Sequence, residues 1–300
     1  MKKKNKAIYL LFLMPFVYFA TACFVVWLVK TSGIYPSGSD TMYHVYRGDY
    51  VYNAIKSGNW YPLYDPAWYN GVEILRYWSP FPAYVMAFCQ YLAGGSQFGA
   101  YLFYIGGVCF LGACVWPFIG RGFNRPYLGA FIGLLWFFIP NNLCAIFIEG
   151  NLARSLSMIF LPVFIYSVYK YLYNHKLRYI PLMVFTFLLM ELCHLGYAGM
   201  AAIAVIIYGI VYMIQKGRKK AVLDVVISMI FGFMLLGIWL VASLRGGITS
   251  LDNSENMANF FQNLWITINP FERLTRGFEY FYFGFAALVV IVFGILFGYK

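Results

Sequence analysis

Long apolar runs recur along this chain, parted by short basic clusters, and that rhythm leaves few folds open. Residues 7–29 hold no charged side chain, and a helix there is long enough to cross a hydrocarbon core about 30 Å thick. Further runs at residues 98–119, 127–148, 156–173, 179–193, 198–214, 221–244 and 278–299 predict seven more crossings. A lipid core offers no partner to backbone N–H and C=O groups, so such runs fold as helices. The expected class is therefore an all-α polytopic membrane protein with about eight transmembrane helices. At 62% hydrophobic, 11% charged and mean hydropathy +0.68, the composition is more apolar than a soluble domain of this length carries.

Basic clusters orient the spans. Lys2, Lys3, Lys4 and Lys6 precede the first run and place the N-terminus in the cytoplasm of a cell-membrane protein. Ala20-Thr21-Ala22-Cys23 has the look of a lipoprotein cleavage box, but the apolar run continues past it and favours a span. Residues 80–93 reach only about 21 Å as a helix and open with Pro80-Phe81-Pro82, so they read as a short helix dipping into the outer leaflet. With that parity Arg121, Arg125, Lys170, Lys176, Arg178, Lys216, Arg218, Lys219 and Lys220 face the cytoplasm, and every acid but Asp224 lies outside. The net charge of +11 thus resides in topology-setting clusters and forms no nucleic-acid-binding stripe. The chain reads as one transmembrane domain over residues 1–300, with a first extracytoplasmic loop at 30–97 carrying amphipathic helices and a second large one at 245–277.

Chemistry is sought in the first loop, where SGSDTMYHVYRGDY and WYPLYDPAWYNG concentrate polar and aromatic side chains. Asp40, His44 and Arg47 stand at i, i+4 and i+7 and share one face if residues 41–57 form a helix. A plainer reading makes Asp40 an N-cap and leaves the tyrosines and Trp60, Trp68 and Trp78 on lipid headgroups. Asn70-Gly71 supplies a tight turn. Elsewhere, Glu149 and Arg154 flank a tight link between spans, either as a mutual ion pair or as a grip on a lipid phosphate. Glu191 lies one turn before His194 at the end of another run, a functional pointer or a satisfied polar contact. Arg245, with Arg273 and Arg276, could bind anionic substrate or coat headgroups.

Several chemistries lack their signatures. The histidines are His44, His175 and His194, and with His175 on the cytoplasmic side they assemble no three-histidine zinc site outside. The six cysteines are scattered through apolar segments without ligand spacing and read as packing residues. Neither a phosphate-cradling glycine loop nor a serine elbow is present, so a lipid-borne donor is expected in place of a soluble nucleotide.

The arrangement resembles the GT-C superfamily of polyprenyl-phosphate-sugar glycosyltransferases, with an inside N-terminus and a long first outer loop that begins with an acid. Ser39-Asp40-Thr41-Met42-Tyr43-His44, Gly58-Asn59-Trp60-Tyr61-Pro62, Trp68-Tyr69-Asn70-Gly71 and Pro80-Phe81-Pro82 look like a bacterial branch labelled pyruvoyl-tetrahydropterin-synthase-related membrane proteins. Glu149-Gly150 and Leu192-Cys193-His194-Leu195 match its later segments more loosely, and the likeness covers residues 6–194. The label carries no pterin chemistry, because the soluble synthase depends on a histidine metal site that this chain lacks.

What the resemblance implies is inverting transfer of a sugar from a polyprenyl-phosphate donor to a polysaccharide, lipid or protein acceptor on the extracytoplasmic face. Asp40 would be the base, oriented by His44. Arg47, Glu149, Arg154, Glu191, His194 and Arg245 would line the substrate and lipid-phosphate site. No cofactor is assigned: the family leaves a divalent metal open, but neither outer acid belongs to an Asp-x-Asp pair. The chain also ends short of the family's usual span number, so the expectation is the N-terminal part of a longer protein. The rival expectations are a transporter or flippase of lipid-linked intermediates, though the sequence displays no inverted repeat or paired broken helices, and a non-catalytic envelope-assembly protein.

Overall fold

A computed structural model describes residues 2–36, 38–68 and 71–245, with side chains from residue 12 onward. α1 (Lys2–Ser32) runs unbroken through Cys23, and its apolar part, Phe12–Ser32, is long enough to span. α2 (Thr41–Lys56) and α3 (Phe81–Leu92) follow in the first loop. α3 keeps the expected short length, twelve residues, with Pro82 in its first turn where no N–H partner is lost.

α4 (Gln97–Gly122) starts at Ser96, whose side chain accepts from the Gly99 N–H. The next expected crossing is not one continuous helix. α5 (Pro126–Leu135) passes through a 3-10 turn at Trp136–Phe138 into α6 (Pro140–Leu143) and a π turn at Cys144–Ile148, bent by 42°. Pro140 explains the break, since it has no N–H to donate and disfavours helical backbone before it. α7 (Leu152–Asn174) begins at Asn151, whose side chain accepts from the Arg154 N–H, and α8 (Tyr179–Cys193) has the bounds its apolar run predicts. α9 (Leu195–Lys216) is capped by His194 and closed by Gly217 at φ +67°, the left-handed turn glycine adopts at least cost. The run expected at residues 221–244 is also bent, by 66°, between α10 (Lys219–Leu235) and α11 (Gly237–Leu244). Two broken helices therefore exist where the sequence displayed none.

Among the described residues four helices are long and apolar enough to cross a membrane, and six spans result if each bent pair counts as one. α8, at 15 residues, is a shorter apolar helix. The expected crossing at 278–299, the loop at 246–277 with Arg273 and Arg276, and Asn70 of the loop turn lie outside the described residues.

Packing follows membrane rules, in which small residues let backbones approach. A Cβ added to Gly120 would stand 2.7 Å from the Gly129 Cα, so α4 and α5 touch there only because both positions are glycine. Tyr18, fully buried, donates to the Ala130 carbonyl at 2.8 Å and ties α1 to the same place. One apolar core joins α1, α4, α5 and the start of α7 around Tyr101, Tyr104 and Leu156. A second joins the rest of α7 to α8, α9 and α10 around Phe164, Met183 and Val225. A third, smaller one lies under the first loop, where Val51, Ile74, Leu75, Ala83 and Ala87 seal α2 against α3.

Candidate functional site

The head of α2 is fixed by backbone contacts with the turn before α7. Gly38 and Gly150 approach so closely that a Cβ on Gly38 would lie 2.5 Å from the Gly150 N, and Gly150 itself sits at φ +67° against Thr41. The Asp40 N–H donates to the Glu149 carbonyl at 3.0 Å, and Ser39 Oγ donates to the same oxygen at 3.1 Å. Two segments far apart in sequence are thus held edge to edge.

Asp40 occupies the N-cap position of α2, yet its carboxylate makes no capping hydrogen bond. Its backbone, at φ −101° and ψ −6°, is already helical, whereas a side chain that caps usually needs an extended backbone. Ser39 Oγ lies 3.3 Å from Asp40 Oδ1. His44 and Arg47 do fall on one face of α2, the buried one, at 7% and 1% exposure. Burial first, then Arg47 and His194, push the His44 imidazolium down to about 3, so the ring is neutral at neutral pH. Asp40 is not among the charges that move His44, and no side-chain hydrogen bond joins the two among the described residues. The carboxylate contact expected of His44 is supplied by Ser39.

Arg47 is enclosed beneath the loop. Its Nη2 donates to the carbonyls of Trp78 at 3.0 Å and Ser79 at 3.4 Å, while its Nε is buried without a partner. Neither ion pair among the described residues brings a carboxylate to it. A buried guanidinium lacking a counter-ion is costly, which makes this end of the fold receptive to negative charge.

Glu149 and Arg154 form the ion pair that their spacing allowed, at 2.7 Å, and Arg154 Nη2 also reaches Asn141 Oδ1 at 3.4 Å. His194 Nδ1 accepts the Tyr197 N–H at 3.0 Å and so caps α9, which leaves a neutral ring carrying its proton on Nε2. That nitrogen lies 3.5 Å from Asn151 Nδ2. His194 sits at the turn between α8 and α9, where burial, followed by Arg154, lowers its pKa while Asp40 pulls it upward. No hydrogen bond or ion pair joins His194 to Glu191 among the described residues. Glu191 is 1% exposed, its backbone carbonyl accepts Ser79 Oγ at 2.9 Å, and its Oε2 has no partner. Arg245 ends α11, exposed, with nothing joining its side chain to the other candidates among the described residues.

Ser39, Ser79 and Asn151 join the cluster without having been singled out from sequence. Asn151 had a visible signal, an Asn just ahead of an apolar run where helix N-caps fall. No group of three His, Cys, Asp or Glu side chains able to hold a metal occurs among the described residues.

Comparison with curated proteins and with solved structures returns no match. A family model described as a 6-pyruvoyl-tetrahydropterin synthase related domain, membrane protein, matches residues 75–300. That match reaches beyond the residues carrying the motif likeness and includes Glu149, Arg154, Glu191, His194 and Arg245, while Asp40, His44 and Arg47 precede it. It covers most of the sequence, and the chain accordingly belongs to the 6-pyruvoyl-tetrahydropterin synthase related family of membrane proteins.

Proposed function

We propose that this protein is a GT-C-type glycosyltransferase of the cell membrane, moving a sugar from a polyprenyl-phosphate donor to an acceptor hydroxyl on the extracytoplasmic face, with inversion. The observation that carries the reading is the Asp40 carboxylate: it stands at a helix head without capping it, where the Asp40 N–H joins the Glu149 carbonyl of the Glu149–Arg154 turn. A carboxylate released from structural duty is suited to general-base work.

In the reaction, Asp40 takes the proton of the acceptor hydroxyl as its oxygen attacks the anomeric carbon. The bond from that carbon to the phosphate oxygen breaks, and the phosphate leaves with the electron pair. His194 donates from Nε2 to the departing phosphate, with Arg154 adding positive charge that is already in place. Arg47, enclosed behind Trp78 and Ser79, supports this potential and positions the loop. His44, neutral at working pH, fills the buried face of α2. The test is a panel of labelled polyprenyl-phosphate sugars offered to the purified full chain and to Asp40→Asn. Sugar transfer by the wild type that collapses in the variant supports the reading, and equal transfer by both rejects the base.

The two bent helix pairs and the buried Glu191, whose Oε2 has no partner among the described residues, favour a second reading, a transporter or flippase of lipid-linked intermediates. Reconstituted vesicles that move a labelled lipid-linked sugar between leaflets, lose this in Glu191→Gln, and transfer no sugar would favour that reading over the first.

A further inference from the structure

Trp78 turns its indole toward the surface at 56% exposure, although the backbone behind it is pinned from two sides. Arg47 holds the Trp78 and Ser79 carbonyls at 3.0 and 3.4 Å, and Ser79 Oγ fastens the strap to the Glu191 carbonyl at 2.9 Å. The indole meets Tyr43 edge to face, with centroids 5.4 Å apart and planes at 63°. Tyr43 in turn meets Trp68 at 5.0 Å, and the Arg47 guanidinium carbon lies 5.3 Å from the Tyr43 centroid. Tyr43 follows Asp40 by three residues on α2, so these rings begin one helical turn from the candidate base.

An aromatic side chain that merely rests on headgroups needs an apolar body and a wet tip. It does not need its backbone fixed by a buried guanidinium. Pre-organisation of this kind serves a ligand that must be held in one orientation, because it lowers the ordering cost of binding. The rings are flat and neutral, and at the head of the same helix stand the Ser39 hydroxyl and the Asp40 carboxylate. The exposed indole of Trp78, with Tyr43 edge to face behind it, offers a flat apolar face that suits a pyranose, which presents C–H groups on its face and hydroxyls around its rim.

We propose that the Trp78 indole, braced edge to face by Tyr43, is a stacking shelf for a pyranose ring at the Asp40 end of the loop. The inference rests on the glycosyl-transfer reading and narrows it, because it names the group that Asp40 would face. The ring can belong to the acceptor or to the donor sugar, and kinetics separates the two.

The experiment uses the full chain in lipid nanodiscs, with maltotetraose, cellotetraose and chitotetraose as probes in saturation-transfer NMR, and with Trp78→Ala, Trp78→Phe and Trp60→Ala as variants. Trp60, 71% exposed, lies outside this ring cluster and serves as the control. The expected result is binding of at least one tetrasaccharide, weakened about tenfold by Trp78→Ala, a loss equivalent to about 1.4 kcal/mol. Trp78→Phe should recover much of it and Trp60→Ala should not disturb it. In the transfer assay the KM of acceptor or of donor should rise in Trp78→Ala, and whichever rises identifies the ring. Saccharide binding with no transfer by any variant keeps the shelf and rejects the transferase. Transfer with both KM values unchanged in Trp78→Ala rejects the shelf alone. Wild type that binds no saccharide, or Trp78→Ala that binds normally but inserts poorly into nanodiscs, also overturns the proposal, and the latter makes the indole a membrane anchor.

Discussion

Asp65 and Asp40 lie in the same loop, and both stand at turns beside aromatic residues, but their surroundings differ. Asp65 is buried at 2% exposure with both oxygens taken: Tyr46 Oη donates to Oδ2 at 2.5 Å and the Ala67 N–H to Oδ1 at 2.9 Å. Its backbone pairs with Val72 in both directions, at 2.8 and 2.9 Å. Asp40 is half-buried; its N–H donates to the Glu149 carbonyl, and among the described residues its carboxylate takes a side-chain hydrogen bond from Ser39 Oγ. An acid kept for architecture is saturated by the fold. On the proposed reading, an acid kept for chemistry is held by its backbone and leaves its oxygens open.

This contrast is broken or sharpened most strongly at Asp40. Asp40→Asn should lower transfer by roughly two to four orders of magnitude. Because no capping bond is lost, the unfolding free energy should stay within about 0.5 kcal/mol of wild type. Comparable transfer by wild type and variant erases the distinction. Next in size is His194→Asn, which retains a side chain able to cap α9 but loses the Nε2 donor. Transfer should fall about a hundredfold with little change in stability, as read by single-turnover rates beside thermal melts.

Asp65→Asn should show the opposite profile. Weakening the acceptor for Tyr46 should cost about 1–3 kcal/mol and make the first loop more sensitive to protease, while transfer per folded molecule changes little. A severe loss of transfer at full stability would move the chemistry to Asp65. At neutral pH the smallest effect is expected at His44, whose contribution shows only in the pH dependence. His44 is held from 6.5 down to about 3 when folded, so its neutral form is favoured and its contribution to stability is complete above 6.5. As pH falls through 6.5 toward 3 the unfolded chain binds the proton first, and stability declines. His44→Gln should flatten that part of the stability–pH curve, and an unchanged slope would show that another group titrates there.

Much of the helical layout was legible from side-chain type alone. α8 keeps the bounds of its apolar run, and α2 ends one residue before the expected 41–57 stretch. Hydrophobic period and length mark helices well, but they do not register interruptions inside an apolar run. Pro140 and Gly237 could have suggested the two bends, yet both residues are tolerated in membrane helices. For the site, the i, i+4, i+7 spacing found the shared face of His44 and Arg47. It could not tell that this face turns inward, because burial depends on what α3 and α7 bring against it. The junction of Asp40 with Glu149 rests on backbone atoms at two glycine turns, and backbone contacts leave no periodic trace.

The strap of the first loop also reaches α11: Arg76 Nε donates to the Ala242 carbonyl at 2.9 Å, and Trp239 Nε1 donates to the Leu75 carbonyl at 2.8 Å. During synthesis these bonds wait for some 166 further residues, the separation between Arg76 and Ala242. At ribosomal speeds that delay is roughly 10–30 s. The loop therefore emerges long before its final partner, and completion of the strap belongs to a late stage of membrane biogenesis. Protease accessibility of ribosome-bound chains stalled before and after residue 245 measures this directly: the loop should be cut readily in the shorter chain and resist in the longer. Equal resistance in both would mean that the loop matures without α11.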